Sequence, residues 1–200
     1  MKIIKPSPKL TSRIAAFLKK GGVVICPTDT VYGFLADALN KKAVDKIYNI
    51  KKRPKLKPLP VFVKNFAMAQ ELAFIDQKQA KRLKKYWPGK YTFILKLKSQ
   101  NEKRKTTSKK LKLYGLKEKT VAMRIPNHKF LSQLLKKLNR PLVQTSVNIS
   151  GRSPVNNIEK IINQFGKDKR IALIIDGGRL KMGRPSKIID LTSGKLTRLR

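Results

Sequence analysis

The chain has 200 residues, 40% of them hydrophobic, and this length and composition favour a single folded domain over residues 1–200. Its 48 lysines and arginines against 11 aspartates and glutamates give a formal net charge of +37, which attracts polyanions such as RNA. One cysteine and one histidine exclude a disulfide framework and a structural zinc site.

The high charge has a second interpretation. The lysine content could follow a compositional bias, in which case many of the lysines are simply solvated on the surface and have no binding function. Apolar runs are only a few residues long, whereas a bilayer span needs ~20, so we do not expect a membrane protein. The first residues, MKIIKPSPKL, carry charge and prolines where an export signal needs an unbroken apolar stretch. We therefore expect the protein to stay in the cytoplasm.

Apolar residues at helical spacing, preceded by residues that suit an N-cap, predict the helices. The first helix begins at Ser7, with Pro8 at its first position, and ends at Gly21 and Gly22. The later helices begin at Asn40, at Asp76, at Asn127 and near 157, the last one covering about 157–165.

Short apolar runs between these helices predict the strands. They cover residues 23–26, 59–63, 91–97, 121–125, 141–146 and 171–176, with short strands near 187–191 and 195–199. Single helices separate many of these strands, while others follow one another directly. The pattern therefore predicts an α/β domain whose mixed sheet is flanked by helices.

The segment 99–119, SQNEKRKTTSKKLKLYGLKEK, interrupts this pattern because it is polar and heavily basic. We expect it to be a basic loop inserted in the domain. It is either a tolerated surface insertion or an arm that contacts RNA.

Loops that follow strands are where α/β proteins bind ligands, and this chain has candidates of that kind. The segment 27–33, PTDTVYG, offers hydroxyls and a carboxylate, and is otherwise an ordinary turn. In 50–62, Lys51 and Arg53 are cations beside prolines and suit phosphates, although such pairs are common in so basic a chain. The segment 144–154, QTSVNISGRSP, offers donors to a phosphate or an adenine, and is otherwise a strand-to-loop turn.

Other classes of site are poorly represented. The carboxylates are scattered along the sequence, with no close pair of the kind that suggests a glycosidase or a two-metal nuclease. Neither of the glycine-rich nucleotide-binding motifs, the Walker motif GxxxxGK[ST] and GxGxxG, occurs. His128 is expected to cap a helix or lie on the surface, and Cys26 to be a buried, inert thiol. Arg124, at the end of a strand, could hold a carboxylate.

Taken together, the segments resemble the YrdC-like family, to which the threonylcarbamoyl-AMP synthases belong. The resemblance runs nearly end to end, in the family's order and spacing. The matching stretches are GGVVICPTDTVYGFLADA at 21–38, IYNIKKRPKLKPL at 47–59, WPGKYTFIL at 87–95, TVAMRIPNH at 120–128, PLVQTSVNISGRSP at 141–154, IIDGG at 174–178 and PSKIIDL at 185–191.

The resemblance implies a single twisted α/β domain with a large basic cavity. It implies an enzyme, a nucleotidyltransferase that makes threonylcarbamoyl-AMP from L-threonine, bicarbonate and ATP and releases pyrophosphate. Magnesium would be held mainly through the ATP phosphates. Separate partner proteins, tRNA threonylcarbamoyl-transferases, would then place the threonylcarbamoyl group on an adenosine of certain tRNAs.

The resemblance also implies roles for individual residues. Thr30 and Arg124 would bind threonine, with Arg124 on its carboxylate, and Lys51 and Arg53 would be the catalytic cations facing the carbamate and the phosphates. The nucleotide site would be lined by Thr120, Ser146, Asn148 and, near the end of the chain, Arg200 or else Arg198.

Val147, Lys187 and Lys57 replace residues that the family usually has, and the larger Val147 could narrow the pocket. Alternative functions stay open at this point. The chain could be a non-catalytic protein of the same fold that binds tRNA or rRNA, or a relative that acts on another carbamoyl-adenylate.

Overall fold

The computed structural model describes residues 2–98, 112–117, 119–180, 185–193 and 197–199. Its strands are β1 (Lys2–Ile4), β2 (Val23–Cys26), β3 (Gly33–Asp37), β4 (Val61–Phe62), β5 (Tyr91–Lys96), β6 (Thr120–Arg124), β7 (Leu142–Ser146), β8 (Ile171–Ile175), β9 (Lys187–Asp190) and β10 (Thr197–Arg198). Its helices are α1 (Thr11–Lys19), α2 (Lys41–Lys51), α3 (Phe66–Leu72), α4 (Gln77–Tyr86), α5 (Lys129–Leu138) and α6 (Ile158–Phe165).

The strands form one ten-stranded sheet in the order β1-β8-β2-β3-β7-β4-β6-β5-β9-β10. The pairs β1–β8, β2–β8, β4–β6 and β5–β9 are parallel, and the remaining pairs are antiparallel. The prediction of an α/β fold with a mixed sheet is therefore confirmed.

Helices cover both faces of the sheet, and β2 shows why. Its four residues are all fully buried, with Val23 and Ile25 in one hydrophobic cluster and Val24 and Cys26 in another. Successive side chains of a strand point to opposite faces, so a strand covered on both faces is apolar throughout. The first cluster includes residues of α2, α3, α4 and α6, and the second includes residues of α1 and α5.

Two predicted helix starts are confirmed by their side-chain caps. Oδ1 of Asn40 accepts a hydrogen bond from the main-chain N–H of Ala43 at 3.1 Å. Asp76 and Gln79 form a reciprocal capping box at the start of α4. Each cap satisfies a main-chain N–H that the first turn of a helix leaves unpaired.

The prediction that Asn127 caps α5 is wrong. The cap is His128, whose Nδ1 accepts from the main-chain N–H of Leu131 at 3.4 Å. The N–H of Asn127 instead donates to Oδ2 of Asp29 at 3.1 Å. Asn127 is therefore tied to the loop between β2 and β3, and His128 takes the capping role expected as one of its two alternatives.

The other helix and strand predictions are close, with a few differences. A 3-10 turn, Pro8–Leu10, precedes α1, and Ser7 makes no side-chain cap. The strand predicted at 59–63 is reduced to Val61–Phe62, because Pro58 and Pro60 have no N–H for the ladder. The sequence interpretation missed β1, β3 and α3.

Much of the basic segment, residues 99–111 and 118, lies outside the described residues. Residues 112–117 form no helix or strand, but they are tied to the body of the protein. Gly115 O accepts from Leu59 N at 2.7 Å, and Tyr114 N donates to Ala38 O at 3.0 Å. None of the helices in the described ranges is long and apolar enough to cross a membrane.

Candidate active site

A cavity of about 540 Å³ lies over the central strands of the sheet. Side chains of β7, β6, β5 and β9 line it, together with the loops that follow β2, α2 and β7. Its described lining contains no aspartate or glutamate, and its basic residues are Lys51, Arg53, Lys57, Lys117 and Arg124. The expected large basic cavity is thus present.

The register of the strands defines the floor of this cavity. Val61 lies opposite both Val143 and Met123, so the adjacent row across the sheet contains Gln144, Pro60 and Ala122. Ile94 of β5 pairs with Ala122 and continues the row. Beyond it, on the side of β9 and β10, the lining includes the apolar side chains of Ile188 and Leu199.

Lys51 is the last residue of α2 and is only 1% exposed. Its ammonium group donates three hydrogen bonds, to Ser146 O at 2.6 Å, to Asn148 O at 2.8 Å and to Asn148 Oδ1 at 2.8 Å. Burial, and secondarily the positive charge of Arg53, lowers the pKa of Lys51 to about 7. Lys51 is therefore a cation held in a fixed place beside the cavity, and its charge responds to neighbouring anions near neutral pH.

The segment after β7 is organised around this lysine. Oδ1 of Asn148 also accepts from the Ser146 hydroxyl at 2.7 Å, and its amide nitrogen donates to the main-chain oxygens of Ile149 and Arg152. The main-chain N–H of Ser150 donates to Lys51 O at 2.8 Å. The hydrogen bonds of the Asn148 side chain thus fix the loop to the end of α2.

Arg53 lies on the loop that follows α2 and is half-buried in the cavity wall. Its Nε donates to Lys57 O at 3.0 Å and one terminal nitrogen donates to Pro58 O at 2.9 Å. The prolines of this loop limit its backbone conformations, so the guanidinium group is attached to a stiff support.

Arg124, the last residue of β6, is 1% exposed and forms a buried ion pair with Asp29. Its Nη1 donates to Thr30 Oγ1 at 3.4 Å, and its guanidinium carbon lies 5.3 Å from the centre of the Phe62 ring. Burial lowers the pKa of Arg124, and the charge of Asp29 opposes that shift. Nε of Arg124 is buried and has no hydrogen-bond partner among the described residues.

The loop between β2 and β3 orients Thr30. The Thr28 hydroxyl donates to Val31 O at 2.7 Å and accepts from the main-chain N–H groups of Thr30 and Val31. A hydroxyl has one proton, so the 3.0 Å contact between the two hydroxyls requires Thr30 to be the donor. The lone pairs of Thr30 are then available to a donor, as the contact from Arg124 shows.

The structure brings most of the predicted site residues together. Thr30, Lys51, Arg53, Arg124, Ser146 and Asn148 all line the cavity. Thr120 begins β6 and is not among the described lining residues, and Arg200 lies outside the described residues.

The three departures from the family pattern differ in position. Val147 is fully buried in the hydrophobic core and is not among the described lining residues. Lys57 lies in the cavity wall, with its main-chain oxygen bound by Arg53. Lys187 lies over the Tyr91 ring, 5.4 Å from its centre, on the strand that also carries Ile188.

Sequence reasoning missed several lining side chains. The Thr92 and Ser186 hydroxyls are 3.0 Å apart and join β5 to the segment before β9. Gln144 is 8% exposed and also lines the cavity. A polar residue inside the apolar run PLVQTS was the available signal for Gln144.

The remaining reactive groups do not take part in this site. Cys26 is fully buried, burial raises the pKa of its thiol, and Sγ lies 3.4 Å from Pro27 O. This agrees with the expectation of an inert thiol. The described ranges contain no cluster of three or more His, Cys, Asp or Glu residues suited to a metal ion.

Known proteins share this sequence and fold. Residues 16–200 match the Sua5/YciO/YrdC family model, whose description is "Telomere recombination". A Methanocaldococcus jannaschii protein is 33% identical over the whole chain, which covers 91% of that protein. The threonylcarbamoyl-AMP synthases of Pyrococcus abyssi and Bacillus subtilis are 38% and 35% identical over 90% of the chain.

The chain spans about half the length of those two synthases, 50% and 49% respectively. The crystal structure of P. abyssi Sua5 complexed with L-threonine matches all of this chain, and 57% of its own, with a TM-score of 0.85 and 31% identity. Escherichia coli YciO matches 99% of this chain and 93% of its own, with a TM-score of 0.83 and 28% identity. By the extent of these matches, the chain belongs to the Sua5/YciO/YrdC family.

Proposed function

We propose that this protein is a threonylcarbamoyl-AMP synthase, which joins L-threonine, bicarbonate and ATP and releases pyrophosphate. The observation that carries the proposal is the pair of buried cations, Lys51 and Arg124, in the wall of one cavity that has no carboxylate in its described lining. Such a cavity suits substrates with a carboxylate, a carbamate and a triphosphate. The synthase names of the P. abyssi and B. subtilis relatives support the same assignment.

The reaction needs no protein nucleophile. The threonine ammonium group first gives up one proton to solvent, and the neutral amine then adds to bicarbonate and gives the N-carboxylate with loss of one water. A carbamate oxygen then attacks the α-phosphorus of ATP, forming a C–O–P link while the bond to the β-phosphate oxygen breaks and pyrophosphate leaves. What the protein supplies is positioning, charge neutralisation and exclusion of water.

Thr30 and Arg124 hold threonine in this proposal. Nε of Arg124 has no hydrogen-bond partner within the described ranges, so in this proposal it is the donor left for the substrate carboxylate while the pair with Asp29 is kept. The lone pairs of Thr30 face donors, which suits the amine or hydroxyl group of threonine.

Lys51 and Arg53 face the carbamate and the phosphates. Lys51 is a compact charge held by three acceptors, and Arg53 can bind two phosphate oxygens with one planar group. Negative charge develops on the leaving pyrophosphate during the attack, and fixed cations stabilise it without reorganisation. A phosphate beside Lys51 also stabilises its protonated form, because the two charges attract.

Ser146, Asn148, Thr120 and Arg200 are proposed to contact the nucleotide. Ser146 and Asn148 line the cavity beside Lys51, so they suit the phosphate end. The apolar lining at Ile94, Ile188 and Leu199 suits the adenine ring. For Thr120 and Arg200 the assignment rests on the family resemblance alone.

Magnesium is proposed to enter with ATP. The donor set of the described lining does not fit a protein-held Mg²⁺, which prefers carboxylate oxygens. The ion therefore suits a place on the substrate phosphates, where it neutralises part of their charge.

We also propose that the protein works in the cytoplasm as one domain over residues 1–200, in which 99–119 is a basic inserted loop. Its product would pass to separate tRNA threonylcarbamoyl-transferase proteins. The net charge of +37 supports a tRNA or other RNA contact, because fixed lysines release counterions from a phosphate backbone.

The test is pyrophosphate release from ATP by the purified protein, with L-threonine, L-serine or no amino acid, each with and without bicarbonate. We expect release that requires threonine and bicarbonate together. Lys51→Met is the matched inactive variant, since it keeps the length of the side chain without the charge. A folded protein that binds tRNA but releases no pyrophosphate under any condition would contradict the synthase assignment and favour a non-catalytic RNA-binding protein.

A further inference from the structure

The side-chain amide of Gln144 has no hydrogen-bond partner among the described residues. The residue as a whole is 8% exposed, but its amide is not among the buried polar atoms that lack a partner there, so the amide opens into the cavity that the residue lines. Its main-chain N–H is used, because it donates to Pro60 O at 2.9 Å. An amide side chain offers two donors and one acceptor oxygen. Because the amide opens into the cavity and pairs with no group of the described residues, its donors and its acceptor are available to a ligand.

Gly33 on the neighbouring strand makes room for this amide. A Cβ built on Gly33 would stand 3.1 Å from Nε2 of Gln144 and 3.4 Å from the main-chain oxygen of Thr145. Any larger residue at position 33 would press on the amide or on the strand. The absence of a side chain at Gly33 therefore leaves the space beside β3 that the Gln144 side chain occupies.

The register places Gln144 between the two anion-binding parts of the cavity. One row of the sheet contains Leu142, Phe62 and Arg124, where the substrate carboxylate is proposed to bind. Gln144 lies in the next cavity-facing row, and Ser146, whose main-chain oxygen holds Lys51, lies in the row after that. In a bound substrate whose carboxylate lies at Arg124 and whose phosphates lie near Lys51, the group between the two would lie beside Gln144.

That connecting group is the carbamate of N-carboxythreonine. It carries an N–H donor next to carboxylate oxygens, and an amide carries an oxygen acceptor next to an NH₂ donor. The two groups are complementary, so they can form a pair of parallel hydrogen bonds. The adenine ring is the other candidate for an amide, but the apolar lining that suits it lies toward β5, β9 and β10, several strands from β7.

We infer that Gln144 binds and orients the carbamate, with its carbonyl accepting the carbamate N–H and its NH₂ donating to a carbamate oxygen. This inference rests on the proposed synthase function. Gln144 neither gives nor takes a proton in this arrangement. It holds one oxygen of the carbamate and leaves the other to attack the α-phosphorus.

The test compares Gln144→Met with the parent protein by steady-state pyrophosphate release at varied bicarbonate, threonine and ATP. We expect the KM for bicarbonate to rise about tenfold or more, because hydrogen bonds to a charged group are lost, while the KM for ATP stays within about twofold. Gln144→Glu is the second variant, and its carboxylate should raise the KM for bicarbonate further by repelling the carbamate. Gln133→Met, the same change outside the cavity lining, should behave like the parent.

The outcomes separate the two proposals. An active parent whose KM for bicarbonate is unchanged in both Gln144 variants would overturn the inference alone. An equal rise in the KM values for ATP and bicarbonate would overturn it in favour of a nucleotide contact. A parent that releases no pyrophosphate with threonine and bicarbonate would overturn the synthase function and this inference with it. ATP binding measured by calorimetry, retained in Gln144→Met, confirms that the variant keeps its folded cavity.

Discussion

Lys51 and Asn148 are joined by two hydrogen bonds, from the lysine ammonium to the main-chain oxygen and to Oδ1 of Asn148, both at 2.8 Å. With the third bond to Ser146 O, all three protons of the ammonium group have acceptors within the protein. The same Asn148 binds the loop that follows β7 to itself through its amide nitrogen. The position of the cation and the shape of the loop are therefore set by one network.

This network gives a prediction for the pH dependence of stability. Folding lowers the pKa of Lys51 to about 7, whereas an unfolded lysine titrates near 10.4. Between these values the unfolded chain binds a proton that the folded chain does not, so the free energy of unfolding rises with pH by up to about 1.4 kcal/mol per pH unit. Urea unfolding at pH 7, 8 and 9 should show this rise in the parent relative to Lys51→Met. Parallel curves for the two proteins would contradict it.

Arg53 gives a prediction for activity. Arg53→Ala should lower kcat/KM for pyrophosphate release by about 100-fold or more, because a fixed cation facing the leaving phosphates is lost. The fold should be retained, since Arg53 is only half-buried and its acceptors Lys57 O and Pro58 O lie on a surface loop. Lys55→Ala, which removes an exposed cation from the same loop, is the control. An active, folded Arg53→Ala would remove Arg53 from the proposed site.

The buried pair of Asp29 and Arg124 gives a prediction for stability. Asp29→Asn keeps the shape of the side chain but leaves a buried guanidinium without its counter-charge. Breaking a buried pair in this way typically costs about 3–5 kcal/mol. The pair of Asp168 and Arg170 is more exposed, with side chains 17% and 45% exposed, so Asp168→Asn should cost less than about 1 kcal/mol. Equal losses for the two variants in urea unfolding would contradict the assignment of a charge-dependent role to Asp29.

His128 gives a prediction at acid pH. Its Nδ1 must be unprotonated to accept from Leu131, and burial lowers its pKa, against the opposing charge of Asp29. The folded state therefore favours neutral His128, and the parent loses stability as the pH falls from the unfolded pKa of about 6.5 through the lower folded value. His128→Asn keeps an N-cap that does not titrate. Its unfolding free energy should fall less between pH 7.5 and pH 5, and an equal fall would show that the histidine is not the cause.

Local signals in the sequence were enough to place several helices. Asn40 and Asp76 both stand directly before apolar residues at helical spacing, and a capping interaction involves only residues within one turn. Local signals could not decide whether Asn127 or His128 caps α5. That choice depends on a distant contact, because the main-chain N–H of Asn127 binds Asp29, almost a hundred residues away in the chain. The strand β3, GFLAD, was missed because it follows the loop PTDTVYG without a break and begins with a glycine.

The site shows the same division between local and distant information. Lys51, Arg53 and Arg124 could be identified from motifs, since each is attached to a recognisable segment of the family. The core position of Val147, directly after β7, and the place of the Gln144 amide in the cavity lining could not be identified in this way. Both depend on the side that each residue faces once β7 pairs with β3 and β4. A shift of one residue in that register would exchange their environments.

The wall formed by β9 and β10 has a consequence for the order of synthesis. Ile188 and Leu199 belong to segments made late by the ribosome, yet β9 pairs in parallel with β5, and Ile188 lies opposite Thr92 across almost a hundred residues. Most residues of the hydrophobic clusters on the two faces of the sheet precede β9 in the chain. The side of the cavity that contains Ile188 and Leu199 forms only after β9 has been made and has paired with β5. A nascent chain can therefore bury much of its hydrophobic surface before it acquires the side of the cavity proposed for the adenine ring.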